Sequence, residues 1–173
     1  MGAYMTGVKV KNEVISMQTG TIAVEPNQAG NHQCGTNPQN QNKQDTQTLL
    51  ELAKARGWGT GVVTTTRITH ATPASTYAHI CHRDAENDIA SQLVPSSQVD
   101  IYQRYNIKLK DGVDVILVGG KRQFLPKDQG GERIDQRNLI AEMQQAGYRM
   151  VYDQTQLSQM KLGKITLNIK KME

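Results

Sequence analysis

Two short runs constrain this chain more than anything else in it: GVVTTT at 61–66 and VDVILV at 113–118, both rich in β-branched residues and bounded by glycines. Neither alternates apolar and polar residues as a strand with one wet face does. Both therefore read as strands covered on two sides, the mark of a parallel sheet between helical layers. The segments around them agree. TLLELAKARG, 48–57, carries a T-x-x-E capping box in Thr48 and Glu51, apolar residues at helical spacing and a terminating Gly57. Residues 84–94 suit a helix that Pro95 stops. DQRNLIAEMQQA, 135–146, reads as a helix capped by Asp135 and ended by Gly147. YRMVY, 148–152, is expected as a third strand, and Thr155–Met160 as a short helix. Helices and strands alternate, so the fold class is α/β with a mostly parallel central sheet.

Three stretches stand outside that rhythm. Around Val8–Ile15 a short helix or strand fits the pattern. Residues 27–47, NQAGNHQCGTNPQNQNKQDTQ, offer too little apolar surface to fold alone and read as a polar loop. The tail 161–173 is expected to diverge: Ile165, Leu167 and Ile169 alternate like a strand, yet no helix–strand step continues into it. Hydrophobic residues make up only 37% of the 173. The net charge of +4 is spread rather than clustered, with no basic stripe carrying interleaved aromatics, which argues against nucleic acid as a partner. No apolar run reaches the roughly 20 residues of a membrane span, and the start lacks the apolar core of a secretory signal. The two cysteines, Cys34 and Cys81, allow one disulfide, and sequence leaves its formation open.

Functional chemistry concentrates after the first strand, in TTTRITHATPASTYAHICHRD, 64–84. Ligands of open α/β sheets bind beyond the carboxyl ends of the strands, where this corner lies. Pro73 suits the first position of a helix over 73–82, which makes Thr72 its expected N-cap. His70 is open to three readings: a metal ligand, a phosphate partner, or a ring satisfied by a backbone carbonyl. His79 and His82 would share one face of that helix, with Cys81 between them, but their spacing matches no standard zinc site. Arg83, at the helix end, has a fork that fits a phosphate or carboxylate. The competing reading pairs it with Asp84 or Glu86 on the surface.

This long ordered motif, with Arg83 at its end, resembles the alkaline phosphatase family. AYMTGVKVKNEVIS is similar to the family's segment just after its catalytic serine. DGVDVILVGGKRQFLP and RIDQRNLIAEMQQAGYRMVYD resemble later strand, turn and helix segments, so the likeness covers Ala3 to about Met160. It implies a partial three-layer sandwich of the family's type, formed by a single domain over 1–173. It also implies phosphate monoester hydrolysis through a phosphoserine, with two zinc ions and a magnesium ion as cofactors. By position, Thr72 would be the hydroxyl ligand of magnesium. His70 would stand near that metal and the phosphate, and Arg83 would grip two phosphate oxygens. Partners implied are phosphate monoesters or inorganic phosphate and a second copy of the chain, with a periplasmic or secreted location for the parent enzymes.

The likeness has gaps. The family's nucleophilic serine would fall before Met1, and its zinc ligands after Met160. Val118 replaces the first glycine of a Gly-Gly-Gly turn. The resemblance thus implies an internal fragment, truncated at both ends, with no catalytic nucleophile and no activity alone. The alternatives are a non-catalytic phosphate- or metal-binding module and a purely structural remnant.

Overall fold

The computed structural model describes residues 1–95 and 106–159, and the backbone of 165–170. Its centre is a three-stranded sheet in the order β1 (Gly61–Arg67), β2 (Val115–Gly119), β3 (Ile165–Lys170), parallel throughout. The two strands expected from their β-branched runs are present. The third is not where the sequence pattern put it. Residues 148–152 join no ladder, with Tyr148 and Val151 buried beside the core. Their place is fixed by a side chain: the Tyr148 hydroxyl donates to the Val113 carbonyl at 2.7 Å. The tail supplies the strand instead, pairing Ile165 with Val115 and Lys170 with Gly119, so it does continue the helix–strand alternation. Residues 161–164 and 171–173 of that tail, and Met160 of the expected 155–160 helix, lie outside the described residues.

The helices are shorter than their patterns suggest. α1 covers Gly2–Thr6, ahead of the element expected at 8–15, where only Ile15 forms a bridge. α2 (Leu49–Ala55) has the full capping box: Glu51 N–H donates to Thr48 Oγ1 at 3.2 Å, and Thr48 N–H donates to the Glu51 carboxylate at 2.8 Å. Gly57, at φ 74°, then turns the chain where a side chain would be strained. α3 is a single turn, Ala71–Ala74, and α4 runs Glu86–Ser91. α5 spans Leu139–Gln145, with Asn138 as its N-cap. The expected cap, Asp135, is taken by Arg133, whose guanidinium is buried and needs a charged acceptor. α6 is Gln154–Ser158, capped by Asp153.

One face of β1 is covered and one is not. Val62 is buried, whereas Val63 is 71% exposed and Thr65 is also open. The expectation of a strand covered on both faces fails here. β1 ends the sheet, and its outer face meets no helix among the described residues. The core lies on the other side, where Ile68, Tyr77, Ile80, Ile89, Leu93, Ile116, Phe124, Leu139 and Met143 pack together. The polar stretch 27–47 is a loop as expected, with 3₁₀ turns at Cys34–Thr36 and Pro38–Asn40. It is tied down by the Cys34–Cys81 disulfide and by Asn40, whose amide bonds both backbone groups of Ile22.

Candidate functional site

The threonines at the end of β1 mark where its ladder with β2 breaks. Val63 pairs with Leu117 and Arg67 with Gly119, so the strand bulges across Thr64–Thr66. There Thr64 and Thr66 bond to each other, hydroxyl to hydroxyl at 3.1 Å and N–H to hydroxyl at 3.2 Å. The side chains replace partners that the ladder no longer supplies. Gly120 closes the neighbouring strand at φ 102°, where a Cβ would stand 3.1 Å from that of Arg67. The backbones of the two strand ends can approach because this position is glycine.

Past the bulge, Arg67 forks onto Glu86, with Nε and Nη2 at 3.1 and 2.9 Å from its two oxygens. Thr69 adds its hydroxyl to the same carboxylate. Burial works to raise the Glu86 pKa, but the Arg67 fork and the Thr69 hydroxyl outweigh it and hold the carboxyl below its ordinary range. This clamp fastens the start of α4 to the end of β1. Sequence reasoning offered Glu86 to Arg83; the structure gives it to Arg67.

Between these anchors runs the corner itself. His70, not Thr72, is the N-cap residue of α3, and its carbonyl accepts from Ala74 N–H at 2.9 Å. The helix stops at Ala74 because Ser75 and Thr76 turn their hydroxyls back onto the Ala71 and Pro73 carbonyls. The expected helix over 73–82 is therefore one turn long. Thr72 lies within it, exposed, its hydroxyl not spent on capping. Beneath the corner Tyr77 is fully buried and donates to the Ile68 carbonyl at 3.0 Å, holding the turn against the strand end.

With the helix ending at Ala74, His79 and His82 do not share a helix face. Ile80 pairs with Ile15 in a two-residue antiparallel bridge. Cys81 is bonded to Cys34, which removes its thiol from any zinc set. His79 is buried between two acceptors, the Ser16 carbonyl at 2.8 Å and the Glu51 carboxylate at 2.5 Å. Burial pushes the Glu51 pKa upward, yet His79, the Thr48 N–H and the Asn106 amide together bring it below the ordinary value. His82 faces Glu25 and Asp84. Arg83 stands on a turn after these anchors, 39% exposed, and reaches Glu13 at 3.8 Å rather than Asp84 or Glu86. No hydrogen bond or ion pair joins His70, Thr72 and Arg83 to one another. A cleft of about 900 Å³ lined by His32, Lys43, His79, Asn106 and Lys108 includes none of the three. The anchoring partners Glu13, Glu25 and Ser16 were invisible to sequence reasoning, since isolated polar residues in an irregular segment carry no periodic signal.

A family model described as alkaline phosphatase matches residues 1–169. The chain belongs to the alkaline phosphatase family. The match reaches into the tail 161–173, beyond the resemblance that ends at about Met160. An alkaline phosphatase of Gadus morhua is 34% identical over 153 residues, covering 81% of this chain and 29% of that protein. A membrane-bound alkaline phosphatase of Bombyx mori is 33% identical over 177 residues, covering 93% of this chain and 30% of that protein. Among solved structures, the alkaline phosphatase of Thermus thermophilus superposes with a TM-score of 0.67 at 25% identity, over 98% of this chain and 27% of that one. The chain thus spans about three tenths of the length of these alkaline phosphatases. Its α/β fold with a parallel sheet is a portion of the alkaline phosphatase fold, as expected. No described helix is long and apolar enough to cross a membrane.

Proposed function

We propose that these 173 residues supply one wall of a phosphatase site, the part that binds the phosphate group of a monoester and presents a hydroxyl to magnesium. The observation that carries this is the state of Arg83 within a family match over residues 1–169. The turn bearing it is anchored on both sides, by the Cys34–Cys81 bond and the Ile15–Ile80 bridge before it and the Arg67–Glu86 fork after it. Yet among the described residues its guanidinium is engaged only by Glu13, at 3.8 Å. A fixed backbone with a lightly held, half-exposed fork suits a group that must exchange a protein carboxylate for a phosphate.

The donors near the strand end support the same reading. Thr72 offers an exposed hydroxyl oxygen, a hard ligand of the kind Mg²⁺ takes. His70, half-buried at the cap, has a ring that no hydrogen bond among the described residues occupies and that can hold a water beside metal or phosphate. When bound, magnesium and zinc would supply charge stabilisation and an activated oxygen nucleophile. Arg83 would orient the phosphate and balance the charge that develops on its oxygens as the ester bond breaks.

In this proposal the parent reaction is monoester hydrolysis through a phosphoserine, and the serine and zinc ligands are not among these residues. The chain by itself binds phosphate without turnover. The same reading assigns the family's full-length enzymes to a location outside the cytoplasm and to a homodimeric state. The test is aryl-phosphate hydrolysis and inorganic phosphate binding by the purified chain, with zinc and magnesium present. Phosphate binding lost in Arg83→Ala, with no hydrolysis by either protein, supports the reading. Hydrolysis abolished by that substitution would reveal a nucleophile within the chain. Binding that Arg83→Ala leaves intact would overturn the role given to the arginine.

A further inference from the structure

The turn that carries Arg83 also gathers a second set of donors. We propose that Glu25, His82 and Asp84 form a binding site for a divalent transition metal, and that the ion fixes the Arg83 turn to the N-terminal segment. One donor atom from each of the three lies within 4.8 Å of the others. His82 Nε2 is 3.3 Å from Glu25 Oε1, and His82 Nδ1 is 3.9 Å from Asp84 Oδ2. Donors bound to one zinc-sized ion at about 2.0–2.2 Å stand roughly 3.3–3.6 Å apart in tetrahedral geometry. Through Nε2 the His82–Glu25 pair already has that spacing; the Asp84 carboxylate lies on the Nδ1 side of the ring, where Asp84 N–H donates to Nδ1 at 3.2 Å, so its side chain must swing round to the Nε2 side to join the same ion.

The three side chains divide the work. The imidazole is buried, and its backbone is set by the neighbouring disulfide and by Ala85 N–H donating to the His82 carbonyl at 3.3 Å. It is the fixed donor. The carboxylates are exposed arms, with side chains 84% and 66% exposed, so the remaining coordination positions open to water. Neither makes another ion pair among the described residues; Arg67 senses Asp84 only at longer range. Two negative charges gathered at a buried ring, with no protein cation closing on them, suit a dication. One imidazole nitrogen and two carboxylate oxygens favour zinc, cobalt or manganese over magnesium and calcium.

Arg83 stands between two of the three ligands in sequence. An ion bridging residues 82 and 84 to residue 25 would restrict the turn without touching the guanidinium. Its occupancy should therefore raise the affinity for phosphate; this last step rests on the phosphate role proposed for Arg83.

The experiment is a titration of the whole chain with Co²⁺ alone, read by its visible absorption. The expected result is one equivalent bound, weakened about tenfold or more in both Glu25→Gln and Asp84→Asn and unchanged in Thr72→Ala and Arg83→Ala. Both weakening substitutions alter exposed side chains, and circular dichroism confirms that the variants are folded. Absence of Co²⁺ binding up to millimolar concentration, or affinity untouched by Glu25→Gln and Asp84→Asn, overturns the site. Phosphate titrated with and without Co²⁺ tests the coupling separately. Equal phosphate affinity in the two would overturn the link to Arg83 and leave the metal site standing.

Discussion

Arg83 and His79 lie four residues apart and illustrate opposite uses of charge. Arg83 meets Glu13 across a half-exposed gap at 3.8 Å, a pair that water and salt screen. Replacing it by alanine should change stability by less than about 0.5 kcal/mol in urea unfolding. The same variant should lose phosphate binding, and that contrast between stability and binding is what a ligand-holding residue predicts. His79 and Glu51 are both buried, and each is satisfied from several directions: Ser16 and Glu51 around the ring, Thr48 and Asn106 around the carboxylate. Removing one side strands the others. Glu51→Ala should cost about 3–5 kcal/mol by the same urea measurement. A loss under about 1 kcal/mol would show that the ring finds another partner. Asn106 helps make this arrangement specific, because its amide donates to both Glu51 and the Tyr77 carbonyl and so ties α2 to the corner.

Elements show which parts of the fold were legible. The capping box of α2 was read from Thr48 and Glu51 alone, because both partners are three residues apart and the signal is local. Thr48→Ala should therefore cost about 1 kcal/mol in thermal or urea unfolding, and more if burial of Glu51 amplifies the loss. The two strands were legible for the same reason: a run of β-branched residues is its own evidence. Illegible features were set by distant partners. Asp135 looked like a cap until Arg133 claimed it. Thr72 looked like a cap, but the chain enters the helix two residues earlier, at His70. Residues 148–152 had the composition of a strand, but β2 took its neighbour from the tail. The Cys34–Cys81 bond depends on tertiary approach, with Cα atoms 5.6 Å apart at a separation of 47 residues. It closes the least apolar stretch onto the segment that leads to Arg83. Reduction, or Cys34→Ser, should remove up to about 4 kcal/mol of stability if loop entropy dominates. Phosphate affinity should fall with it, since the turn loses its anchor. Urea unfolding with and without reductant checks the first effect, and phosphate titration of the reduced chain the second. Of the candidate site, sequence offered His70, Thr72 and Arg83, which remain proposed, and missed the partners that hold the corner, such as Glu13 and Ser16.

At the scale of the whole molecule, low apolar content means that buried polar clamps carry an unusual share of the tertiary order. Four carboxyls, Glu51, Glu86, Asp114 and Asp135, have pKa values lowered in the fold. In each, burial alone would raise the value, and basic partners and hydrogen bonds reverse it: His79, Arg67, Lys54 and Arg133 respectively. A group with a depressed folded pKa binds more protons when unfolded, so its contribution is complete above the unfolded value and lost as pH falls through the folded one. The ordinary values are 4.5 for Glu and 3.8 for Asp, so the stability that these four carboxyls supply should be level above about pH 5.5 and decline below pH 4.5. Lys54 has the opposite sign. Burial would lower its pKa, but Asp111 and Asp114 raise it above 10.5, so its contribution is lost only as pH climbs beyond that value. Between these limits the combined contribution of the five groups forms a plateau. Urea midpoints measured from pH 2.5 to 9 should trace the acid limb, and Glu51→Gln should flatten part of it while lowering the plateau. An acid limb of unchanged slope in that variant would mean that Glu51 does not titrate with folding, and that the remaining clamps account for the whole decline.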